Sequence, residues 1–229
     1  MNRHQVYLLI FICALAILFS CSEKFDAKEY YFNPDAFKTS KVYTFRSVEN
    51  PSKVHYWKIT NTGDKELFTI RNNSKNQLID ELKEQITDNG SQMISYFKSH
   101  VTSDVWIQNF EFYPKKHDLM RWNLKETSVY EGEFNIKGDI FIMRREREFV
   151  EKTILNFKSK KYDVLVFKDQ FDSPSIINLE DPKKATNWNE SANKIFLQYS
   201  YFAKGIGLIK YVREFDNGTS ETMELIDIQ

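Results

Sequence analysis

The sequence predicts an all-β protein: an antiparallel meander of about a dozen strands, curved into an open sheet or half-barrel, with one short helix at most. Three observations predict it. The seven glycines are few, and four fall in hairpin contexts, at Thr62-Gly63-Asp64, Asp88-Asn89-Gly90, Lys137-Gly138-Asp139 and Asp216-Asn217-Gly218. The runs between such breaks are of strand length. Aromatic residues are abundant, with 19 Phe and 12 Tyr, and they favour the pleated, half-buried surface of a sheet.

Residues 41–49 (KVYTFRSVE) open the meander and stop at Asn50-Pro51, because proline has no N–H for a ladder. Strands follow over 53–61, 65–71, 91–99, 105–113, 129–137, 139–150, 162–168, 194–202, 207–215 and 219–228. Asn72-Asn73-Ser74 marks a further break. Asn89-Gly90 and Asn217-Gly218 are the strongest hairpin signals, since Asn-Gly supplies the positive φ values of a type I′ turn. Residues 162–168 (YDVLVFK) are nearly continuous in apolar side chains, as in a strand covered on both faces. In 194–202 the alternation sets Ile195, Leu197, Tyr199 and Tyr201 on one face, which is expected to be buried. Residues 76–87 (NQLIDELKEQIT) fit either helix or strand. The segment runs straight into Asn89-Gly90 as a hairpin arm would, and it is read as strand. Residues 180–191 (EDPKKATNWNES) are expected to form a long surface loop.

The first twenty residues, MNRHQVYLLIFICALAILFS, differ from the rest. Arg3 gives a positive start, and residues 6–19 then carry no charge. As a helix these would reach only ~21 Å, short of the ~30 Å of a hydrocarbon core. A positive start, a short apolar stretch and a small residue at Ser20 are the layout of an export signal. The next four positions, Leu18-Phe19-Ser20-Cys21, resemble the lipobox of bacterial lipoproteins, in which an aliphatic and a small residue precede the lipidated cysteine. Phe19 is bulkier than the usual residue at its position. An ordinary secretory signal with an incidental cysteine and an uncleaved membrane anchor are the alternatives. The resemblance implies cleavage before Cys21, thioether attachment of diacylglycerol there and added acyl chains such as palmitate, since stable anchoring takes more than one chain. Cys13 would leave with the signal, so no disulfide can form within the mature chain. Ser22 stands where aspartate would signal inner-membrane retention, which implies the outer membrane; which face of it stays open. Ser22-Glu23-Lys24-Phe25-Asp26 is loosely similar to the surface-export signals of Bacteroidetes-type lipoproteins, and a solvated tether is the plainer alternative.

Residues 201–211 (YFAKGIGLIKY) resemble the Y-[YF]-A-x-G-[IV]-G-[LM]-[IV]-K segment near the end of a group of Bacteroidetes-type envelope lipoproteins without an assigned activity. Three further stretches accompany it: residues 53–58 with Tyr56-Trp57, Trp122-Asn123-Leu124-Lys125 and Val166-Phe167-Lys168-Asp169. The resemblance implies an all-β, lipid-anchored protein. The layout is also similar to the half-barrels of the LolA and LolB lipoprotein carriers, which hold acyl chains in an apolar concavity, an analogy of fold alone. From the residues themselves, Ala203-Lys204-Gly205 is a turn and Gly207 opens the next strand where a side chain would crowd a neighbour. A phosphate-cradling loop is the rival, but it lacks a third glycine and a following helix.

The chain divides into a signal at 1–20, a lipid-anchored tether at 21–40 and a single β domain at 41–229. Tyr30, Tyr31, Phe32 and Phe37 make the tether too apolar to remain a free coil. Loss of Arg3 leaves 31 basic against 32 acidic residues, so nothing electrostatic favours nucleic acid. His55, His100 and His117 are not spaced as metal ligands, and no metal or other cofactor is expected. His55 reads as a strand-face histidine. No nucleophile motif stands out, and Asp169 with Asp172, or Glu146 with Glu148, are carboxylate pairs only in linear spacing. Arg144-Arg145-Glu146-Arg147-Glu148 reads as a solvated strand face or a charge-protected edge, with an anion site as the lesser alternative. Trp57, Trp106, Phe110 and Phe112 are candidates to line an apolar pocket, against the plainer reading that they fill a closed core. The function expected is therefore non-catalytic: an outer-membrane lipoprotein that binds an apolar ligand or an envelope partner. A structural or assembly subunit of an envelope complex and a polymer hydrolase are the alternatives.

Overall fold

A computed structural model describes residues 26–99, 109–136, 139–172, 175–177 and 195–229. Two single-turn 3-10 helices, Ala27–Tyr30 and Pro34–Phe37, precede the sheet. The strands are β1 (Lys41–Ser47), β2 (Val54–Gly63), β3 (Glu66–Asn73), β4 (Leu78–Ile86), β5 (Gly90–Ser99), β6 (Asn109–Arg121), β7 (Ser128–Ile136), β8 (Asp139–Phe157), β9 (Lys160–Phe171), β10 (Ser175–Ile177), β11 (Ile195–Ala203), β12 (Gly207–Phe215) and β13 (Ser220–Ile228). The ambiguous segment at 76–87 is thus strand β4.

The expected curvature goes to closure. The sheet order runs from β8 down to β1, then β13, β12, β11 and β9, and β9 pairs back to β8. Twelve antiparallel strands form a closed up-and-down barrel, and β10 is an extra strand on the first residues of β8. Closure removes the exposed edges an open sheet would present. All its hairpins run between sequence neighbours, so each end of the barrel collects alternate connections. The near end holds the start of β1 and the β2–β3, β4–β5, β6–β7, β8–β9 and β11–β12 turns. Among the described residues the far end holds the β1–β2, β3–β4 and β12–β13 turns.

Two strands outrun their sequence signals. β6 continues through Pro114, which sits at a register shift where no ladder N–H is needed. β8 continues to Phe157 because its hairpin has no glycine: Lys158 and Ser159 supply positive φ values of 46° and 64°. Asp64 and Lys65 do the same at the β2–β3 turn, with φ of 40° and 65°. The two Asn-Gly hairpins occur where expected, but neither Asn has positive φ, so neither is type I′. At Gly90 a Cβ would lie 2.1 Å from the Met120 carbonyl oxygen, so that glycine serves a close approach of backbones.

The near end is closed by the segment just before β1. Ala27, Tyr30, Tyr31, Phe32, Pro34 and Phe37 are buried there. The backbone is tied down by the Gly205 N–H donating to the Glu29 carbonyl at 2.9 Å and by Asn61 Nδ2 donating to the Pro34 carbonyl at 3.1 Å. Phe32 packs edge-on against Tyr43 at 5.5 Å between ring centroids, and Tyr31 lies 5.5 Å from both Trp122 and Phe202. Since Phe202 is on β11 and the Tyr31 hydroxyl donates to Glu84 on β4, this ring spans the lumen. Gly207 has φ of +96°, and a Cβ there would meet Phe32 at 2.4 Å, so the glycine of the 201–211 motif makes room for the seal.

The outer wall is built for water. It carries cross-strand ion pairs, Lys210–Glu224 at 3.0 Å, Lys168–Glu148 at 3.2 Å and Arg144–Asp172 at 3.1 Å among them. A lipid-facing barrel wall is an apolar band, and charges on it are destabilising.

Candidate functional site

Strand alternation points every second side chain into the lumen, and above the seal many of these are polar. Arg71 on β3 grips Asp80 on β4 with both Nε and Nη2, the latter at 2.5 Å from Oδ2. The Tyr96 hydroxyl donates to the same carboxylate at 3.1 Å. Across the barrel, Arg147 on β8 holds Asp169 on β9 in the same two-pronged way, at 2.6 and 2.9 Å. Asp169 also accepts from Ser200 Oγ at 2.8 Å and from Gln198 Nε2 at 3.4 Å. Arg145 lies over the Tyr130 ring, donates to the Leu119 carbonyl at 2.7 Å and sets its Nε 3.6 Å from Asp169. Glu84, lower in the lumen, accepts from Tyr31 at 2.7 Å and Ser91 at 2.5 Å.

The belt continues through a ladder of rings and guanidiniums. Arg71 sits 4.8 Å from the Trp57 ring, Trp57 stacks on Tyr211 at 5.9 Å, and Arg213 lies 4.6 Å over the other partner, Tyr211. The Tyr211 hydroxyl is 3.2 Å from His55 Nδ1, and Arg213 Nε donates to Gln198 Oε1 at 2.9 Å.

Burial and charge pull these groups in different directions. Burial acts to raise the Asp169 carboxyl, but the Arg147 and Arg145 charges and the Arg147 and Ser200 hydrogen bonds outweigh it and hold it below the usual range. Glu84 is raised by burial, because the Ser91 and Tyr31 hydrogen bonds and the two arginines only partly offset it. His55 is pushed down to about 3, first by burial and then by the charges of Arg213, Lys53 and Arg71.

Of the residues the sequence nominated, Trp57 is buried in this ladder and also packs on Phe45 at 4.8 Å. Phe110 and Phe112 are on β6, four strands from Trp57, and the register sets Phe112 opposite Tyr96 and Phe134. Trp106, Cys21 and His100 lie outside the described residues. His55 is the strand-face histidine expected. The carboxylate pairs do not hold together: Asp169 is buried on Arg147, while Asp172 is exposed and pairs with Arg144. Glu146 and Glu148 are taken by Arg144 and Lys168. The charged run at 144–148 is neither wholly solvated nor an edge. β8 has neighbours on both sides, and period two buries Arg145 and Arg147 while Arg144 and Glu146 stay half-exposed and Glu148 exposed.

On β11 the expected burial of Tyr199 and Tyr201 is also corrected. Leu197 is buried as expected, but the register runs unbroken from Leu197 to Tyr201 with Ser200 opposite buried Tyr211, so Ser200 and Phe202 face inward and the two tyrosines are half-buried. Ser200 is wanted inside because Asp169 is there. The sequence nominates neither Arg71 nor Asp80, and it presents Arg145, Arg147 and Asp169 without their burial; on β8 the signal is there in the shared parity of Arg145 and Arg147.

No family model matches the chain, and no curated protein matches it. Among solved structures, the crystal structure of a proposed lipoprotein from Parabacteroides distasonis ATCC 8503 aligns with 87% of this chain and 98% of its own. The TM-score is 0.46 and the sequence identity 10%.

Proposed function

We propose that this chain is an envelope lipoprotein anchored through Cys21, and that its barrel is a binding module for an apolar ligand or an envelope partner, reached from the end away from the membrane. The observation that supports this is the seal. Ala27, the first buried residue among those described, follows Cys21 by only six positions, so the near end of the barrel is tethered within ~20 Å of the anchor. The far end then faces outward. A ring of twelve strands can enclose more space than the ~8 that side chains fill alone, and one end is occupied by the protein's own chain, an arrangement that suits a cup entered from the other end. Ser22 after the anchor supports the outer membrane as its place.

The assembly-subunit alternative has less behind it. The outer wall carries ion pairs, and the exposed large apolar side chains among the described residues, Val48, Tyr56, Ile94, Tyr113, Val150, Ile154 and Phe196, are spread over five strands and a turn, with Val150 and Ile154 the one pair on a single strand.

The test has two parts. Cys21→Ser should move the protein from the membrane pellet to the soluble fraction, and wild type should take up labelled palmitate. Protein extracted with organic solvent should then release an apolar compound detectable by mass spectrometry. A variant that still pellets after a salt wash contradicts the anchor, and an extract identical to that of a mock purification contradicts the cup.

A further inference from the structure

Cations in and at the rim of the lumen outnumber the carboxylates that answer them. Arg71, Arg145, Arg147, Arg213 and Lys53 face Asp80, Asp169, Glu84 and Glu221. Asp80 is held by Arg71 and Asp169 by Arg147, with Arg145 alongside. Glu84 is near Arg147 and Arg145 and feels both charges. Glu221 stands directly opposite Arg213 in the β12–β13 register, but its carboxylate is drawn to Lys53 at 2.5 Å. Arg213 is therefore the unanswered charge: among the described residues no carboxylate lies within ion-pair distance of it. It spends Nε on Gln198 and its face on Tyr211, which leaves its two Nη groups as a fork of the kind that fits a carboxylate.

A second observation lies beside it. Trp57 is 92% buried, stacks on Tyr211, and its Nε1 is a buried donor with no hydrogen-bond acceptor. A buried N–H left unmade costs the full desolvation of the group, so an acceptor that the chain itself does not supply is expected there. His55 adds a further ring nitrogen on Tyr211. Arg213 is only half-buried and lies toward the end of β12 that reaches the far mouth. Below these groups the apolar core begins, with Phe45 against Trp57 and Met223 opposite Tyr211, both fully buried.

We infer that the mouth of the lumen carries an anion site centred on Arg213, beside Trp57, His55 and Tyr211, and that its ligand is an amphipathic carboxylate whose apolar part enters the cup. This rests on the reading of the barrel as a binding module and names the chemistry of what it binds.

Octanoate and 1-octanol separate the two claims, because they share a chain and differ in charge. Each is titrated into the full lipidated protein in phosphatidylcholine nanodiscs, with empty nanodiscs as the blank. The expected result is octanoate binding at least ~10-fold tighter than octanol, with the preference lost in Arg213→Met and largely kept in Arg213→Lys. Thermal melts of both variants show whether the fold survives, and the charge-keeping lysine separates a lost site from a lost fold. Equal affinity for the two compounds overturns the anion site and leaves the cup standing. A preference unchanged in Arg213→Met overturns the assignment to this arginine. No binding of either compound overturns the anion site and the apolar-ligand reading of the barrel, and leaves the envelope partner as its occupant.

Discussion

At the near end, Phe32, Phe37 and Tyr43 meet at 5.5 to 6.1 Å between ring centroids, and Ile59, Leu67 and Met120 are buried in the same apolar cluster. Further up the barrel, Arg147 and Asp169 meet at 2.6 Å with no exposure of the carboxylate, and Arg71 closes on Asp80. One lumen thus holds two interiors. The first is stabilised by removing apolar surface from water, ~25 cal/mol for each Å². The second is stabilised only so long as every ion keeps its partner, because a lone buried charge costs several kcal/mol. The contrast teaches where the barrel tolerates change: rings can be trimmed by degrees, whereas removing one partner of a buried ion pair strands the other.

The largest effect should come from the belt. Asp169→Ala strands Arg147 and Arg145 without their shared carboxylate, and the expected loss is ~3–5 kcal/mol in a urea melt. A loss under ~1 kcal/mol would mean that water already reaches the pair. Next comes the seal: Gly207→Val adds a Cβ against Phe32 at a positive φ, with an expected cost of ~1–3 kcal/mol. An unchanged urea midpoint would show that the segment before β1 is not fixed in the barrel.

A third effect is one of pH. The unfolded His55 imidazole titrates near its ordinary 6.5, whereas the folded one is held at about 3. As pH falls, the unfolded chain takes up this proton first, so stability from this group is lost between about 6.5 and 3 and is constant above. His55→Gln should flatten that part of the stability curve. Coincident curves for the two proteins between pH 7 and 4.5 would place His55 in contact with water.

The smallest effect should be on the outer wall. Lys210→Ala breaks an ion pair whose members are 28% and 49% exposed, and such pairs contribute ~0–1 kcal/mol. If it cost as much as Asp169→Ala, inside and outside would not differ as described.

The same contrast decides what could be read in advance. Strand positions followed from turns and alternation, and the apolar run at 162–168 did mark a strand buried on both faces, with Val164, Leu165, Val166 and Phe167 all inside. Tyr30, Tyr31, Phe32 and Phe37 announced by their composition that they would be buried. The belt was not legible, because the rule that apolar residues face inward assigns Arg145, Arg147, Asp80 and Ser200 to water. On β11 it chose Tyr199 and Tyr201 over Ser200 and Phe202 for that reason. Closure was hidden too: the β8–β9 turn at Lys158-Ser159 has no glycine to signal it, and the pairing that completes the ring depends on the length of β8.

The most direct test of the sealed cup is its orientation on a membrane. Single cysteines are introduced at Lys160→Cys in the β8–β9 hairpin of the near end and at Asn217→Cys in the β12–β13 turn of the far end. Each is labelled with a fluorophore in the lipidated protein, where Cys21 is blocked by its acyl groups. In vesicles carrying a headgroup-attached quencher, the label at 160 should be strongly quenched and the label at 217 should not. Stronger quenching at 217 than at 160 would contradict an anchor at the sealed end and an outward-facing mouth.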